Sequence, residues 1–381
     1  MNAELRHKCP VSQIKLYDGT KAYILTKHKD IKEALASDKL SADRRADGYP
    51  EIHEGGHKAK EARPSFVNMD DPGHKKQRAM LDDAFTPEAV EKMRPMMQST
   101  VDAILEKMIS GRKEGSTVDL IEEFATPVPT QIVYKVLGVP DEDIEELSHD
   151  SEVRNSTSRN AAETSNSNLQ QYMANLVDKR IEKPQNDLIS KLVTEQLKPG
   201  NLEKEDVNML AFLVLTAGNA ALINSIGLGV LTLLQHPDQV KALKDDPSLI
   251  SSAVNEILRY HTASALNSRR ATKEDVTFGG QHIPKGTGVI CSVQSADRDE
   301  DVFAEPNNFD IHREVKEKEV LGFGYGPHRC QGEWYSKQQL EIAIGTLLKR
   351  LPNLKLVKSA DELPYTEPTM NVGVTELPVR W

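Results

Sequence analysis

The chain has 381 residues, of which 38% are hydrophobic and 28% are charged, as in soluble globular proteins with a sizeable core. The formal net charge is −10, from 48 basic and 58 acidic residues, which argues against a nucleic-acid-binding protein. Three widely spaced cysteines, Cys9, Cys291 and Cys330, indicate neither a disulfide framework nor a Cys-x-x-Cys metal site, and they fit a reducing compartment. Residues 1–10 lack an apolar signal sequence, so we expect no N-terminal membrane anchor.

The first 65 residues predict a hairpin, a short helix and a long loop. Asp18-Gly19 separates two strand-like runs between residues 14 and 25, which is a hairpin signal. Residues 28–37 have a helical pattern, whereas residues 41–65 are rich in Gly, Pro, Arg and His and show little periodicity. We interpret residues 41–65 as a loop, and long loops in compact domains are often functional.

Helical patterns dominate the middle of the chain. We predict helices at residues 73–84, 87–110, 119–137 (with interruptions at Pro127 and Pro129), 141–149, 160–182 and 186–196. Pro87 stands at a position typical of a helix start. Residues 154–168 are rich in Ser, Thr and Asn, which predicts an exposed connection before a helix.

Residues 207–237 contain no Asp, Glu, Lys or Arg. By hydropathy this run would also fit a membrane span. Several Asn, Ser and Gly residues interrupt the run, however, and its flanks show no positive-inside bias. We therefore expect a long helix buried in the core of the protein.

The last third mixes short strands with helices. We predict, in order, a helix at 248–260, a hairpin at 276–283, a strand at 288–293, an irregular meander at 298–313, a helix from Glu333 to Lys349 or Arg350, and strand-like runs at 354–357 and 372–374. The predicted fold is mainly α with small β-sheets. It lacks the strand–helix alternation and the Gly-x-Gly-x-x-Gly motif of a Rossmann fold.

Residues 321–332, here called the cysteine stretch, read Leu-Gly-Phe-Gly-Tyr-Gly-Pro-His-Arg-Cys-Gln-Gly. Its glycines predict an irregular loop whose backbone can approach a flat partner closely. We expect Cys330 at a helix start, where the helix dipole and the free N–H groups favour a thiolate. Such a thiolate would be a nucleophile, a metal ligand or an axial heme ligand, and a buried structural cysteine is the alternative. Zinc would need three further ligands, and a cysteine protease a paired histidine.

Six positions of the cysteine stretch fit the pattern Phe-Gly-x-Gly-x-His-x-Cys-x-Gly, namely Phe323, Gly324, Gly326, His328, Cys330 and Gly332. This pattern resembles the heme-ligand loop of the cytochrome P-450 superfamily. The resemblance implies one catalytic domain over residues 1–381, folded as a triangular prism with heme b (iron protoporphyrin IX) between a long central helix and the cysteine loop. It also implies that Cys330 ligates the iron, that Phe323 contacts the heme, and that His328 contacts a heme propionate as a cationic side chain.

Two further helical pairs fit this resemblance. His74 and Arg78 share a helix face and could hold a pair of carboxylates, or they form a solvated basic patch. The resemblance makes His74, Arg78 and Arg270 ligands of the heme propionates. Glu256 and Arg259 can pair on one helix face, and they resemble the Glu-x-x-Arg pair that locks the meander in cytochromes P-450. This spacing alone is a weak signal.

Ala217-Gly218-Asn219-Ala220-Ala221 lies in the predicted buried helix. In most cytochromes P-450 the matching segment ends in an acid and an alcohol, which relay protons to dioxygen. Neither Ala220 nor Ala221 can donate a proton. This departure argues against an ordinary hydroxylase and favours a reaction that does not cleave dioxygen.

Several strings resemble one branch of the superfamily, the soluble cytochrome P-450 nitric oxide reductases of fungi and algae: residues 40–50, 66–72, 85–90, 217–220, 259–266 and 295–300. The resemblance implies the reaction of two NO with NAD(P)H and a proton to give N2O, NAD(P)+ and water. Hydride would pass directly from the nicotinamide to heme-bound NO, without a redox protein partner. NADH and NADPH both remain open as the donor.

The same resemblance implies roles for residues near the substrates. Arg44, Arg154 and Arg269 match a cluster that binds the pyrophosphate, and Ser264 matches a serine that helps proton delivery. His53 and Gly55 match the loop at the adenosine ribose, where a glycine leaves room for a 2′-phosphate. Ala221 and Asn371 stand where the branch has a threonine and an acid for proton supply.

Two other functions stay open. One is a cytochrome P-450 monooxygenase that hydroxylates a small organic substrate with separate redox proteins. The other is a heme-thiolate gas sensor or carrier, which would keep Cys330, His74 and Arg78 but need no cluster of arginines. In each case we expect a soluble protein, cytoplasmic or mitochondrial, without nucleic acid or membrane partners.

Overall fold

A computed structural model of the chain describes residues 2–53, 55–58, 60–61, 63–113, 115–148, 159–264, 266–316, 318–366 and 371–381. Its α-helices are α1 Asn2–Lys8, α2 His28–Ala36, α3 Gly55–Lys58, α4 Gly73–Asp82, α5 Pro87–Ile109, α6 Pro127–Leu137, α7 Arg159–Glu182, α8 Leu188–Leu192, α9 Lys204–Ala217, α10 Asn219–Gln235, α11 Pro237–Asp245, α12 Ile250–His261, α13 Val293–Ala296 and α14 Glu333–Arg350. Residues 144–148 are helical as well.

The strands are short: β1 Val11–Lys15, β2 Lys21–Leu25, β3 Leu40–Ser41, β4 Thr117–Asp119, β5 Arg269–Thr272, β6 Val276–Phe278, β7 Gln281–Ile283, β8 Gly288–Cys291, β9 Lys355–Leu356 and β10 Pro378–Arg380. They form sheets of five, three and two strands, with the orders β1-β2-β8-β5-β3, β4-β10-β9 and β6-β7. The prediction of a mainly α fold with small sheets is therefore confirmed.

Several predicted boundaries were wrong, and the cause is local. In the predicted helix 119–137, β4 comes first, a π-helical turn Ile121–Ala125 follows, and α6 starts at Pro127. Pro127 starts the helix instead of interrupting it, because the first helical residue needs no N–H donor. The predicted helix 160–182 is confirmed by α7, which therefore also takes in residues 159–168 of the predicted connection.

Further differences concern short elements. The predicted loop 41–65 contains α3, and the predicted strand 288–293 ends at Cys291, where α13 follows. Helix α11 and strand β10 were not predicted. In the run 372–374, Val374 makes an isolated bridge to Tyr365 instead of a strand.

The chain divides into two compact units, and the expectation of one catalytic domain stays a prediction. The first unit comprises residues 1–79, 241–333 and 366–373 and holds the five-stranded sheet. In this sheet β2 and β8 are parallel, and the other neighbours are antiparallel. Leu321 is buried in the same hydrophobic cluster as Leu25 of β2 and Leu35 of α2. The start of the cysteine stretch is therefore fixed by the core of this unit.

The second unit comprises residues 80–240, 334–365 and 374–381, and α10 lies in it. The helical stretch Lys204–Gln235 is long and apolar enough for a membrane span, with a mean hydropathy of 1.7, and 50% of its most apolar window is buried in the protein. The run from Leu222 to Leu233 is buried throughout and contacts α6, which confirms a buried helix there. The predicted single helix was wrong, since Gly218 separates α9 from α10.

Candidate heme-thiolate site

The cysteine stretch is held by short backbone hydrogen bonds within itself. The N–H of Gly324 donates to Leu321 O at 2.7 Å, and the N–H of Cys330 donates to Phe323 O at 2.7 Å. Gly326 has a φ of 70°, and a Cβ there would lie 2.6 Å from Leu35 O. Only glycine allows this left-handed backbone and this close approach to α2. Cys330 is thereby presented three residues before α14 begins.

Opposing effects act on the pKa of the Cys330 thiol. Burial raises this pKa, followed by the charge of Glu333, while the N–H of Gly332 and the guanidinium groups of Arg78 and Arg329 oppose the rise. A bound metal ion would deprotonate such a thiol, so the expected thiolate stays a prediction. Cys330 as a residue is exposed.

Two side chains that the sequence reasoning did not single out stiffen the loop. Arg329 makes two hydrogen bonds to Glu333, Nε to Oε2 at 2.6 Å and Nη2 to Oε1 at 2.8 Å. Gln331 donates from Nε2 to Arg78 O at 3.1 Å and so ties the cysteine stretch to α4. The i, i+4 spacing of Arg329 and Glu333 is a local signal that could have predicted their pair.

Four side chains expected near the propionates converge in the first unit, and we call them the basic cluster: His74, Arg78, Arg270 and His328. The His74 and His328 rings lie 4.0 Å apart. Burial and the neighbouring Arg270, His74 and Arg78 lower the pKa of His328 to about 3. His328 is therefore neutral without an anion beside it, whereas the resemblance implied a cation.

His74 and Arg270 carry polar groups that stay unpaired among the described residues. His74 Nδ1 lies 3.0 Å from Asp71 Oδ1, but within the described part of the chain its buried Nε2 has no hydrogen-bond partner. Among the described residues, Arg270 donates to Arg269 O at 2.8 Å and forms no ion pair, although burial lowers the pKa of its guanidinium. A buried guanidinium without a carboxylate, next to a histidine nitrogen without a partner in the described residues, indicates an anionic ligand.

The Glu256–Arg259 pair does what the resemblance implied. Both residues are completely buried and are joined by two hydrogen bonds of 2.7 Å. Arg259 also donates to the carbonyl oxygens of Asp297, Pro306 and Asn308. The pair therefore fixes the meander, and its role is structural.

The comparisons with known proteins agree with this geometry. The cytochrome P450 family model matches residues 147–381. The chain is 45% identical to cytochrome P-450 55A3 of Fusarium lichenicola over 100% of its own length and 93% of that protein. The chain belongs to the cytochrome P-450 family. Vitamin D3 dihydroxylase of Streptomyces griseolus is 34% identical, with coverage of 98% and 91%.

Solved structures of cytochromes P-450 share the fold. Cytochrome P-450 MoxA from Nonomuraea recticatena matches with a TM-score of 0.95 at 32% identity, covering 100% of this chain and 94% of that one. The mycinamicin VIII C21 methyl hydroxylase of Micromonospora griseorubida, solved with mycinamicin VIII bound, matches with a TM-score of 0.90 at 31% identity, covering 100% and 96%. The cytochrome P-450 fold expected from the motif is thus confirmed.

The residues of this cytochrome P-450 fit the heme that the family implies. Cys330 is an exposed cysteine, and the Nε2 of His74 and the charge of Arg270, both unpaired among the described residues, suit two propionates. Among the described residues no three His, Cys, Asp or Glu side chains cluster as metal ligands. Cys330 therefore has no zinc-type co-ligands in that part of the chain.

A second group of charges lies on the opposite face of β5, and we call it the Glu51 group: Arg44, Glu51, His53 and Arg269. Successive side chains of a strand point to opposite faces, which separates Arg269 from Arg270. Arg269 Nη1 lies 3.0 Å from Glu51 Oε2, and Arg44 Nε lies 3.5 Å from Glu51 Oε1. Two guanidinium groups thus share one buried carboxylate.

The other residues expected near the dinucleotide are only partly brought together. Gly55 starts α3 and lies beside His53, since a Cβ on Gly55 would be 3.3 Å from His53 Nδ1. Burial, followed by the charges of Arg269 and Arg44, lowers the pKa of His53, so His53 is neutral. Arg154 lies outside the described residues. Sequence reasoning did not predict the role of Glu51. Its partner Arg269 is distant in sequence, and no sequence pattern links Glu51 to Arg44.

Ser264 lies in the segment after α12. Its Oγ accepts a short hydrogen bond from Asn267 Nδ2. The neighbouring Ala263 O accepts the N–H of Val372 at 3.0 Å. The backbone therefore brings the segment of Ser264 next to that of Asn371, the two positions that the resemblance connected with proton supply.

Proposed function

We propose that this cytochrome P-450 is a nitric oxide reductase that takes its electrons directly from a nicotinamide dinucleotide. The overall reaction is 2 NO + NAD(P)H + H+ to N2O + NAD(P)+ + H2O. The observation that carries the proposal is the Glu51 group, in which Arg44 and Arg269 converge on one buried carboxylate. A P-450 served only by redox proteins has no need of such a site for a small anion.

The charges of the Glu51 group suit a pyrophosphate. Among the described residues, two guanidinium groups and one carboxylate leave one net positive charge, since His53 is neutral, in a protein whose net charge is −10. Arg269 is 4% exposed and tightly paired, whereas Arg44 is 17% exposed and its contact to Glu51 is longer, at 3.5 Å. Arg44 can therefore turn towards a phosphate while Glu51 keeps Arg269 in place.

The loop next to this group is proposed to hold the ribose of the dinucleotide. Gly55 carries no side chain beside His53, so the space there is not closed by a Cβ. A 2′-phosphate would find the guanidinium of Arg44 nearby. The proposal therefore includes both NADH and NADPH as hydride donors.

In the proposed enzyme the bound heme supplies the iron that binds nitric oxide. Cys330 would hold that iron, while His74, Arg78, Arg270 and His328 would hold the propionates and Phe323 would line the heme. Ser264 would deliver protons through its hydroxyl, in place of the missing acid and alcohol at Ala220 and Ala221. Since hydride carries both electrons together, no protein that delivers single electrons is required.

A monooxygenase is the second candidate. Relatives at 31% to 34% identity include proteins named as hydroxylases, such as the mycinamicin VIII C21 methyl hydroxylase and the vitamin D3 dihydroxylase. Against this candidate stand Ala220 and Ala221, since hydroxylation requires protons for the cleavage of dioxygen. A hydroxylase would also leave the Glu51 group without a ligand.

The dinucleotide site is tested by titrating the holoenzyme with NADH and following the heme absorbance. We expect Arg44→Gln to weaken NADH binding about tenfold or more, because a charge-assisted bond to phosphate is lost. Arg45→Gln is the matched control, since Arg45 is 51% exposed and pairs with Asp43 at 2.6 Å, and it should bind NADH like the wild type. Arg269→Lys keeps the charge but not the fork geometry and should weaken binding less than Arg44→Gln.

Equal affinity of the wild type and Arg44→Gln for NADH would contradict the dinucleotide site. If Arg44→Gln and Arg45→Gln lost the same affinity for NADH, the effect would come from general surface charge. Either result would favour the monooxygenase.

A further inference from the structure

A buried carboxylate connects the start of the cysteine stretch to the meander. Asp297 follows α13 and is completely buried, with 0% of its surface exposed. Its Oδ1 accepts the N–H of Leu321 at 2.6 Å, and its Oδ2 accepts the hydroxyl of Thr262 at 2.9 Å. The N–H of Gly322 also faces this carboxyl group and lowers its pKa. The start of the cysteine stretch is therefore held by one side chain.

The hydrogen bonds continue from Asp297 to the iron ligand. Leu321, which donates to Asp297, accepts the N–H of Gly324 at 2.7 Å through its own carbonyl oxygen. The carbonyl oxygen of Phe323, the residue before Gly324, accepts the N–H of Cys330 at 2.7 Å. A shift of Leu321 and Gly322 would therefore move the residues that fix the backbone of Cys330.

Neighbouring residues hold both the side chain and the backbone of Asp297 in place. Thr262 Oγ also lies 3.2 Å from Arg259 O and 3.3 Å from Leu258 O, so the hydroxyl is held at the end of α12. Arg259 donates to the backbone oxygen of Asp297 at 2.9 Å. Gly322 is packed close to the carboxyl group, since a Cβ there would lie 3.6 Å from Asp297 Oδ2. The carboxyl group is thus locked between α12 and the cysteine stretch.

We infer that Asp297, oriented by Thr262, is a positioning residue that holds Cys330 in register for the iron. Asp297 touches neither Cys330 nor any reacting atom, and it acts through Leu321 and Gly322. The inference concerns the heme-thiolate centre of the family and does not depend on which reaction that centre performs. Residues that orient a metal ligand in this way typically change metal affinity about 10- to 100-fold when they are replaced.

Asp297 is needed for the position of its hydrogen-bond acceptors more than for its charge. Burial raises the pKa of this carboxyl group to about 7, against the opposing hydrogen bonds from Leu321 and Thr262. An asparagine has the same shape, and its Oδ1 can accept the N–H of Leu321 while its Nδ2 donates to Thr262 Oγ. Alanine offers neither group and leaves the N–H of Leu321 unpaired.

The test compares three variants of the purified holoenzyme. We expect Asp297→Ala to lose most of the thiolate-type Soret band of the ferrous CO complex and to release heme about 10- to 100-fold faster to apomyoglobin. Asp297→Asn should restore both readouts to wild-type values. Asp299→Ala is the matched control: Asp299 is 1% exposed and accepts the N–H of His28 at 2.8 Å. This variant should lower thermal stability but keep the thiolate band.

Thr262→Val covers the case in which Asp297→Ala yields no folded protein. This variant removes only the hydroxyl that orients the carboxyl group, and a partial loss of the thiolate band is expected. The inference is overturned by a full thiolate band and wild-type heme release in Asp297→Ala, or in Thr262→Val. It is overturned equally if Asp299→Ala loses the band to the same extent, or if Asp297→Asn fails to restore it.

Discussion

Replacement of Cys330 by alanine is expected to abolish the thiolate-type Soret band of the ferrous CO complex completely. Cys330 is the one cysteine of the described loop, and it lies exposed before the start of α14. Without that sulfur the iron would lose its anionic ligand, which gives a heme-thiolate its characteristic spectrum. The measurement is the absorbance spectrum of the reduced protein under CO, after reconstitution with heme.

The other two cysteines are controls for this prediction. Cys9 is exposed near the N-terminus, and Cys291 is buried in β8, where burial raises the pKa of its thiol to about 12. Cys9→Ser and Cys291→Ala should both keep the thiolate band. A band that persists in Cys330→Ala, or disappears in Cys291→Ala, would assign the iron ligand to another residue.

Replacement of Arg259 by alanine is expected to lower the free energy of unfolding by about 3 kcal/mol, since the buried Glu256 then keeps only the longer contact to Arg313, at 3.2 Å. The variant also loses the three hydrogen bonds to the meander carbonyls of Asp297, Pro306 and Asn308. The measurement is the midpoint of unfolding in denaturant or heat, compared with the wild type at the same heme content.

Arg94→Ala is the matched control for Arg259→Ala. Arg94 pairs with Glu91 at the same i, i+3 spacing and at 2.7 Å, but the two side chains are 43% and 61% exposed. Exposed ion pairs contribute about 0–1 kcal/mol, so this variant should unfold almost like the wild type. A similar loss in both variants would mean that burial of the Glu256–Arg259 pair is not what stabilises the meander.

The sequence predicted the local features of the site well, because their signals are local. The glycines and the cysteine of residues 321–332 lie in one loop, and the helix after it begins at Glu333 as expected. The i, i+3 pair of Glu256 and Arg259 and the i, i+4 pair of His74 and Arg78 need only helical spacing. The motif in residues 321–332 then indicated the family, and the family implies the fold.

Other features depend on contacts between distant residues or on burial. Asp297 and Leu321 are 24 positions apart, and Arg269 and Glu51 are 218 apart, so no periodicity connects them. The sequence shows that Cys330 lies at a helix start, but it does not show the desolvation that raises the pKa of the thiol. The break at Gly218 was missed because a glycine within an apolar run is compatible with a continuous helix.

The Glu51 group and Ala220-Ala221 together define the central claim: electrons arrive as hydride from a dinucleotide, and dioxygen is not cleaved. The most direct measurement adds nitric oxide to the purified holoenzyme with NADH, or with NADPH, and without any reductase. Nicotinamide absorbance and N2O release are followed together. The account predicts rapid oxidation that depends on nitric oxide, with one N2O released for each dinucleotide oxidised. A dinucleotide that stays reduced until a redox protein is added would contradict the account.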